Sequence, residues 1–379
     1  MSRVTHYSAQ MHTRLTMAFA ALITLGLSAT AISVTPSTSA APNLPRLSPD
    51  SLIERIAFGS CLDEEKTPPP WDEIRARQPD VFMMLGDNVY ADTEAGVYVG
   101  PNLEIMQRSY AALGAQTGFQ ALRSEVPTLA VWDDHDYGVN DGGAENPIKN
   151  QAKEIFAQFF DIPADDPMRS REGTYRAGVH GPEGKRLQII QLDTRWFRSS
   201  LKETDELNTP GKQRFIPDND PAKTLLGDAQ WQWLAEQLRT PAELRFIVSS
   251  IQVLSDGHGW ERWGNFPHEL SRLFDLIRQT NAHGVIFLSG DRHRAAAYRQ
   301  IKDTPYPFYE LTSSSLNAGV ASRQPEIDPH RLGGKLYPGE NFGEITIDWT
   351  RGVVHLDILS LPGTHRVRGV TLAIAELQP

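Results

Sequence analysis

Six short, mostly apolar runs place the strongest constraint on the fold of this chain. In none of them do apolar and polar residues alternate along the sequence. A strand with one solvated face shows such alternation, so continuous apolar runs predict strands buried on both faces. A sheet of such strands needs other elements to cover it on both sides. The runs are Ile56–Phe58, Val81–Leu85, Thr128–Trp132, Leu187–Leu192, Arg245–Ser250 and Val285–Leu288.

Helical patterns separate several of these runs, with apolar residues recurring at the spacing of one helix face. Strands that alternate with helices predict a layered α/β fold. The expected helices are Pro147–Phe160, Gly227–Leu238 and Phe266–Thr280. Further strands are expected at Phe308–Thr312, Gly343–Trp349 and Val353–Leu359, the last two joined as a hairpin. No linker composition interrupts residues 54–379, so we expect one large domain after a Pro-rich lead-in at 41–53.

The first forty residues have the composition of a secretory signal peptide. Arg14 precedes an apolar stretch from Leu15 to Val34, and small residues follow it up to Ser39 and Ala40. This order predicts a signal peptide at 1–40, cleavage after Ala40, and export to the periplasm or the extracellular space. A membrane anchor is the alternative, since about twenty apolar residues span a bilayer. We expect no membrane span in the mature form.

The formal net charge of −10 and the single cysteine exclude several classes of protein. Nucleic acids and anionic membranes are bound through clustered Lys and Arg, so no stable nucleic-acid partner is expected for an acidic chain. One cysteine excludes an internal disulfide. The excess of carboxylates is more consistent with binding of cations than with binding of polyanions. We also expect a monomer.

Polar side chains follow five of the buried runs at the point where each run ends. Open α/β sheets place their sites just past the carboxyl ends of strands, so these residues should converge if the strands are parallel neighbours. The segments are Gly59-Ser60-Cys61, Gly86-Asp87-Asn88-Val89-Tyr90, Asp133-Asp134-His135-Asp136 with Asn140-Asp141, Asp193-Thr194-Arg195, and Ser289-Gly290-Asp291-Arg292-His293.

The donors in these segments are too many for one ion and too hard for a Cys/His zinc knuckle. Thiolate and phenolate donors favour a ferric ion, whereas Asp and Asn oxygens suit Ca²⁺, Mg²⁺ or Mn²⁺. A carboxylate such as Asp87, in a Gly-Asp turn, could bridge two ions. Two neighbouring cations ionise a water molecule and hold the oxygens of an in-line displacement at phosphorus, so hydrolysis of a phosphate ester is the predicted chemistry.

Five motifs taken in order resemble the PhoD-like alkaline phosphatases, a branch of the calcineurin-like metallophosphoesterases. The motifs are Phe58–Cys61, Gly86–Tyr90, Trp132–Asp136, Leu192–Arg195 and Ser289–His293, within a match from about residue 54 to 350. The resemblance implies a four-layer α/β/β/α sandwich with mixed sheets and a site for Fe³⁺ and Ca²⁺. By position it implies that iron is bound by Cys61, Asp87, Tyr90 and His293. It also implies that Asp87 bridges to calcium, beside Asn140 and Asp291.

The chain departs from related patterns in two respects. We expect no counterpart, in the residues before 54, of the leading β-sandwich domain and the twin-arginine leader that many relatives carry. Ordinary calcineurin-like enzymes carry Asp-x-His and Gly-His-x-His motifs where this chain has Phe-Gly-Ser-Cys and Ser-Gly-Asp-Arg-His. The loss of two histidines favours iron with calcium, and Mn²⁺, Mg²⁺ or Zn²⁺ are the alternatives for the second metal.

The remaining motif residues have expected roles at the phosphate group. His135 is expected to protonate the leaving oxygen, and Arg195 to stabilise phosphate oxygens with its planar guanidinium. Asn88, Arg292 and His258 are expected to contact the substrate. For Arg195 and Arg292, an ion pair with a nearby Asp is the alternative, and His135 could instead be an ordinary hydrogen-bonded loop residue.

We therefore predict an exported metal-dependent phosphoesterase in which a metal-bound hydroxide attacks a small-molecule or lipid phosphate monoester or diester. A phosphodiesterase or phospholipase-type hydrolase is the main alternative among enzymes. From another class, a secreted protein that binds metal or phosphate without turnover would use the same ligands but would need no acid/base residue.

Overall fold

The computed structural model describes residues 44–320 and 326–379. The predicted signal peptide at 1–40 lies outside the described residues, so it stays a prediction. Among the described residues, no helix has both the length and the apolar character needed to cross a bilayer.

Fifteen strands run through the described residues. They are β1 (Arg55–Gly59), β2 (Val81–Leu85), β3 (Thr93–Glu94), β4 (Val97–Tyr98), β5 (Thr128–Val131), β6 (Arg176–His180), β7 (Leu187–Gln191), β8 (Leu244–Val248), β9 (Val285–Ser289), β10 (Ala295–Gln300), β11 (Phe308–Thr312), β12 (Arg331–Tyr337), β13 (Asn341–Asp348), β14 (Val353–Ser360) and β15 (Arg366–Ala373).

Eight α-helices accompany these strands in the described residues. They are α1 (Trp71–Arg75), α2 (Leu103–Ala115), α3 (Thr117–Glu125), α4 (Asp134–Tyr137), α5 (Lys149–Phe159), α6 (Pro167–Ser170), α7 (Gly227–Leu238) and α8 (Pro267–Gln279). The long helix α2 begins after Asn102, whose side chain accepts hydrogen bonds from Glu104 N and Ile105 N, as an N-cap residue does.

The strands form two mixed sheets and one short hairpin. The first sheet has the order β15-β14-β13-β1-β2-β5, in which β1, β2 and β5 are parallel neighbours. The second has the order β12-β10-β11-β9-β8-β7-β6, in which β11, β9, β8 and β7 are parallel neighbours. β3 pairs with β4 in the hairpin. Each sheet therefore presents a row of parallel carboxyl ends.

The apolar side chains divide between a core shared by the two sheets and a second cluster under helices. Ile56 and Phe58 of β1 belong to the core that contains residues of β7, β8 and β9, whereas Ala57 belongs to the second cluster. That cluster includes buried residues of α1, α2, α3 and α5, and α7 and α8 pack on the second sheet. The order helices, sheet, sheet, helices confirms the predicted four-layer α/β/β/α sandwich.

All nine predicted strands and all three predicted helices occur in the structure, with shifted ends. The run at Arg245–Ser250, for example, is strand only over Leu244–Val248. The predicted hairpin is confirmed by the pairing of Asp348 with Val353. Strands β6, β12 and β15 escaped prediction because they are partly exposed, and β10 because its alanines have low strand propensity.

Candidate metal centre

Loops of the first sheet bring three of the predicted segments together. Strands β1, β2 and β5 are parallel neighbours, so Cys61, Asp87 and Asp133, which follow them, lie side by side. Backbone hydrogen bonds tie the first two loops: Cys61 N donates to Gly86 O at 3.3 Å, and Leu62 N donates to Asp87 O at 2.8 Å. Only glycine fits at position 86, because a Cβ there would lie 2.4 Å from Asp133 Cβ.

Loops of the second sheet lie next to these loops of the first sheet. Ser250 follows β8 and Gly290 follows β9, and Gly290 N donates to Ser250 O at 2.8 Å. A Cβ on Gly290 would lie 2.4 Å from Ser60 Oγ, so the loops of the two sheets are in close contact. Ser314, just after β11, has its Oγ 2.9 Å from Cys61 Sγ. The carboxyl ends of both rows of parallel strands therefore form one site.

Four candidate ligands hold their backbone in the left-handed region. The φ angle is 55° at Cys61, 48° at Asp87, 66° at Asp291 and 54° at His293. Residues other than glycine adopt this region uncommonly, and such strain persists where the surrounding structure enforces it, often at functional sites. Because all four follow a strand of the two parallel rows, these loops have a conformation that aims side chains into one volume.

One donor cluster consists of Cys61, Asp87 and His293, whose ligand atoms all lie within 4.8 Å of one another. Cys61 Sγ is 3.2 Å from Asp87 Oδ2. Tyr90 adjoins the cluster, because its hydroxyl is 3.2 Å from His293 Nε2. His293 Nδ1 is 2.5 Å from Ala318 O, which leaves Nε2 for the cluster. The structure thus brings together all four residues predicted to bind iron.

A second donor cluster consists of Asp133, Asp134 and Asp291, again with ligand atoms within 4.8 Å. Asp87 and Asp134 also form a cluster with His135, so Asp87 belongs to two neighbouring donor sets. Asp87 Oδ1, Asp133 Oδ2 and Asp291 Oδ2 are buried, and none has a hydrogen-bond partner among the described residues. Buried carboxylate oxygens need a partner, and cations placed between these side chains would provide one.

Burial and mutual repulsion act on the acidic groups of the first cluster. Burial raises the pKa of Cys61 to about 11, although hydrogen bonds from Ser314 and Ser60 oppose this shift. Burial, followed by repulsion from Cys61, raises the pKa of Asp87 well above its usual range. Burial also raises the pKa of Tyr90. Bound cations would favour the ionised forms of these ligands, and this donor set therefore fits a cation.

His135 lies beside both clusters and has a carboxylate partner of its own. Its Nδ1 is 2.7 Å from Asp92 Oδ1, and its ring centroid is 4.3 Å from that of Tyr90. Burial disfavours a charged imidazole, but the carboxylates of Asp134 and Asp92 outweigh burial and raise the pKa of His135 to about 9. The Asp92 contact therefore orients the ring, and the two carboxylates favour the protonated form that a proton donor needs.

Arg195 is fully buried and binds two carboxylates. Its Nε donates to Asp133 Oδ1 at 2.6 Å, and its Nη1 donates to Glu261 Oε2 at 2.6 Å. Ser250 Oγ donates to the same oxygen of Asp133 at 2.6 Å. The structure thus contains the ion pair that was the alternative to a phosphate contact for Arg195. This arrangement leaves Asp133 Oδ2 for the second cluster.

The two candidate asparagines occupy different positions. Asn88 is buried, and its Nδ2 donates to a backbone carbonyl of β5 at 2.9 Å and to Asp136, so it links two site loops. Asn140 is half-buried, and its Nδ2 donates to Asp141 Oδ2 at 2.7 Å. Asp141 N in turn donates to Asp134 Oδ2 at 2.7 Å, which places Asn140 at the edge of the second cluster.

The remaining predicted substrate contacts also differ in position. Arg292 Cζ lies 5.8 Å from the ring centroid of Trp260, and its Nη2 donates to Glu326 Oε1 at 3.0 Å. His258 is buried, its Nε2 is 2.9 Å from Gln252 Oε1, and its Nδ1 accepts from Trp260 N at 3.1 Å. Because both ring nitrogens have protein partners, His258 supports the loop of Trp260, which faces Arg292.

Sequence reasoning leaves the role of Asp134 open and misses Asp92 and Glu261. Asp134 belongs to the two donor groups already described that contain it and to a further one with Asp141 and Glu261. Asp92 could have been predicted as a site residue from the sequence, because it lies two residues after Tyr90 in the same loop. No feature of the sequence marks Glu261 as a site residue, since it does not directly follow a predicted strand. Only the fold brings it to Arg195.

A family model described as PhoD-like phosphatase matches residues 56–358. The chain belongs to this family. This PhoD-like chain is 23% identical to alkaline phosphatase D of Bacillus subtilis (strain 168) over 296 residues, which cover 69% of the chain. That match covers 48% of the relative, so the chain spans about half of the relative's length.

The fold of this PhoD-like chain is also similar to the solved structure of PhoD. The TM-score is 0.67 at 18% sequence identity, and the match covers 87% of this chain and 70% of the other. At this identity the similarity shows the shared fold alone. The mixed α/β sandwich inferred from the sheets and the core therefore has a counterpart among known structures.

Proposed function

We propose that this PhoD-like chain hydrolyses phosphate esters with the help of two bound cations. The observation that carries the proposal is the presence of two neighbouring donor clusters, Cys61-Asp87-His293 and Asp133-Asp134-Asp291, which are linked by a third set of Asp87, Asp134 and His135. Four of the ligands have a strained backbone, and three buried carboxylate oxygens lack a protein partner among the described residues. Membership of a phosphatase family agrees with this chemistry.

The two clusters differ in their donor atoms, which suggests different metals. Cys61 and Tyr90 add a thiolate and a phenolate, so we propose Fe³⁺ for the first cluster. The second offers oxygen donors from Asp134 and Asp291 with Asn140 nearby, so we propose Ca²⁺ there, with Mn²⁺, Mg²⁺ or Zn²⁺ as alternatives. When bound, these cations would supply Lewis acidity for water ionisation and for the phosphate charge.

The chain's own residues then position the substrate and move a proton. Because Asp92 holds Nδ1 of His135, its Nε2 is the atom proposed to protonate the leaving oxygen. Arg195 acts through Asp133, which it holds in place, and its positive charge opposes the rise that burial causes in the pKa of that carboxyl. Arg292 is the proposed phosphate contact, since one of its amino groups is held by Glu326 beside the metal loop and its fork fits phosphate oxygens.

The location and the substrate class are finer parts of the same proposal. The composition of residues 1–40 supports export to the periplasm or the extracellular space. Small-molecule and lipid phosphate esters, both monoesters and diesters, are the proposed substrates.

Elemental analysis of the purified full-length chain, combined with an ester panel, tests the proposal. We expect iron and a second cation, a visible tyrosinate-to-Fe³⁺ absorption band, and hydrolysis of p-nitrophenyl phosphate or bis(p-nitrophenyl) phosphate. Chelation should remove both the colour and the hydrolysis. Metal-replete protein that leaves both esters unchanged after long incubation would contradict the proposal and favour a protein that binds metal or phosphate without turnover.

A further inference from the structure

A short hairpin emerges directly from the metal-binding loop and returns to it. Strand β3 (Thr93–Glu94) begins one residue after Asp92, the partner of His135, and pairs with β4 (Val97–Tyr98). The chain then closes on Asp92 again, because Val99 N donates to Asp92 O at 2.8 Å and Gly100 N donates to the same oxygen at 3.2 Å. The base of the hairpin is therefore anchored at the proposed proton donor.

The return strand of this hairpin exposes three consecutive apolar side chains. Val97 is 63% exposed, Tyr98 53% and Val99 49%. Elsewhere in the described residues, the exposed large apolar side chains are single and scattered: Leu52, Leu207, Ile301, Val320 and Ile327. Isolated exposed apolar residues are ordinary, whereas a contiguous apolar patch beside a polar site marks a binding surface.

The hairpin is tied to helix α2, and the Tyr98 hydroxyl lies near the base of the hairpin. Arg108 Nη2 donates to Glu94 Oε1 at 2.9 Å, which ties the first strand to helix α2. Burial raises the pKa of Tyr98, and the carboxylates of Asp92 and Asp134 raise it further. The Tyr98 hydroxyl also lies close to the base of the hairpin, since a Cβ on Gly100, whose N–H donates to Asp92 O, would be 3.9 Å from it.

We propose that Val97, Tyr98 and Val99 form an apolar wall at the mouth of the metal centre. The wall selects phosphate esters whose alcohol carries an aromatic or aliphatic group over esters of small polar alcohols. This inference rests on the proposed phosphoesterase function. The anchoring on Asp92 supports this placement, because the hairpin rises from the residue that holds His135, the proposed proton donor to the leaving alcohol.

A substitution of the wall, measured with two esters, tests the inference. The double variant Val97→Ser, Tyr98→Ala should lower kcat/KM for p-nitrophenyl phosphate about tenfold, which corresponds to losing one good apolar contact. Its kcat/KM for glycerol 2-phosphate should stay within about twofold of the wild type. Tyr98→Phe, which keeps the ring, should behave as the wild type does. Ile301→Ser removes an equally exposed apolar residue at the far end of β10 and should change neither ester.

Calorimetric binding of phenylphosphonate and inorganic phosphate to metal-loaded protein gives a readout that does not depend on turnover. The double variant should bind phenylphosphonate about tenfold more weakly and phosphate unchanged. Equal losses for both esters and both ligands would overturn the wall, as would lost binding to phosphatidylcholine vesicles with unchanged ester preference. If the wild type hydrolyses neither ester, the proposed function fails. The phenylphosphonate titration then still tests whether the apolar wall contributes to ligand binding.

Discussion

Asp87→Asn is the perturbation that bears most directly on the metal centre. Asp87 is 1% exposed, its Oδ2 accepts from Cys61 Sγ at 3.2 Å, and its Oδ1 is buried with no partner among the described residues. The substitution preserves the shape of the side chain and removes one negative charge from both donor sets. Its effects on the metal-bound and the metal-free protein should have opposite signs.

In the metal-bound protein, the negative charge of Asp87 would help to hold the two proposed cations. Stabilisation of charge by a metal at the transition state is worth several kcal/mol. If the variant loses about 4 kcal/mol of it, kcat/KM falls about 10³-fold, since each 1.36 kcal/mol is a factor of ten. In the metal-free protein, burial and repulsion from Cys61 disfavour the charge of Asp87, so its removal should leave Tm equal or higher.

The assay compares wild type and Asp87→Asn with and without chelator, measuring bound iron, ester hydrolysis and Tm. Asp205→Asn is the matched control, because it removes an exposed carboxylate paired with Lys212, and such surface pairs contribute little to stability. Full activity and metal content in Asp87→Asn would refute the assignment of a shared ligand. A large drop in Tm with chelator present would refute the electrostatic reasoning.

Three further substitutions separate structural from chemical roles. Arg195→Gln leaves the buried Asp133 without its cationic partner and leaves Glu261 with Arg198 alone, so urea unfolding should show a loss of about 3–5 kcal/mol; unchanged stability would contradict the buried ion pairs. Asp92→Asn removes the partner of His135, so kcat should fall about 10–100-fold while metal content stays constant, and a loss of metal would contradict a role confined to orientation. Burial raises the pKa of Glu310 to about 7, so its neutral form stabilises the fold below about pH 4.5 and this stability is lost as the pH rises through 7. Glu310→Gln should remove about 3 kcal/mol of that decline between pH 4.5 and 8, measured by urea unfolding, and an unchanged pH dependence would count against it.

Elements that are deeply buried could be predicted from the sequence, whereas exposed or very short elements could not. Strands β2 and β9 are buried along their whole length, and their largely continuous apolar sequences were sufficient to predict them. Strand β12 carries two adjacent glycines and several exposed residues, so its sequence resembles a loop, and only pairing with β10 makes it a strand. Helix α1 is five residues long, too short for a periodic pattern.

The predictability of the site follows the same rule at the level of side chains. Donors such as Asp87 and His293 stand directly after buried strands, where the general behaviour of parallel sheets places functional residues. Arg195 stands in an equivalent position, yet the structure buries it between Asp133 and Glu261. A strand-end position predicts proximity to the site, and the partners of each side chain depend on loops that have no periodic pattern.

The sequence alone determined that buried strands alternate with helices and that metal-binding side chain types stand at the ends of those strands. The tertiary structure decided that the strands divide between two sheets, with Cys61 and Asp87 on loops of one sheet and Asp291 and His293 on a loop of the other. It also decided that the hairpin after Asp92 stands beside the site. The physical reason is that an apolar run reports how deeply a strand is buried, whereas its pairing partners are set by packing between residues that lie far apart in the chain.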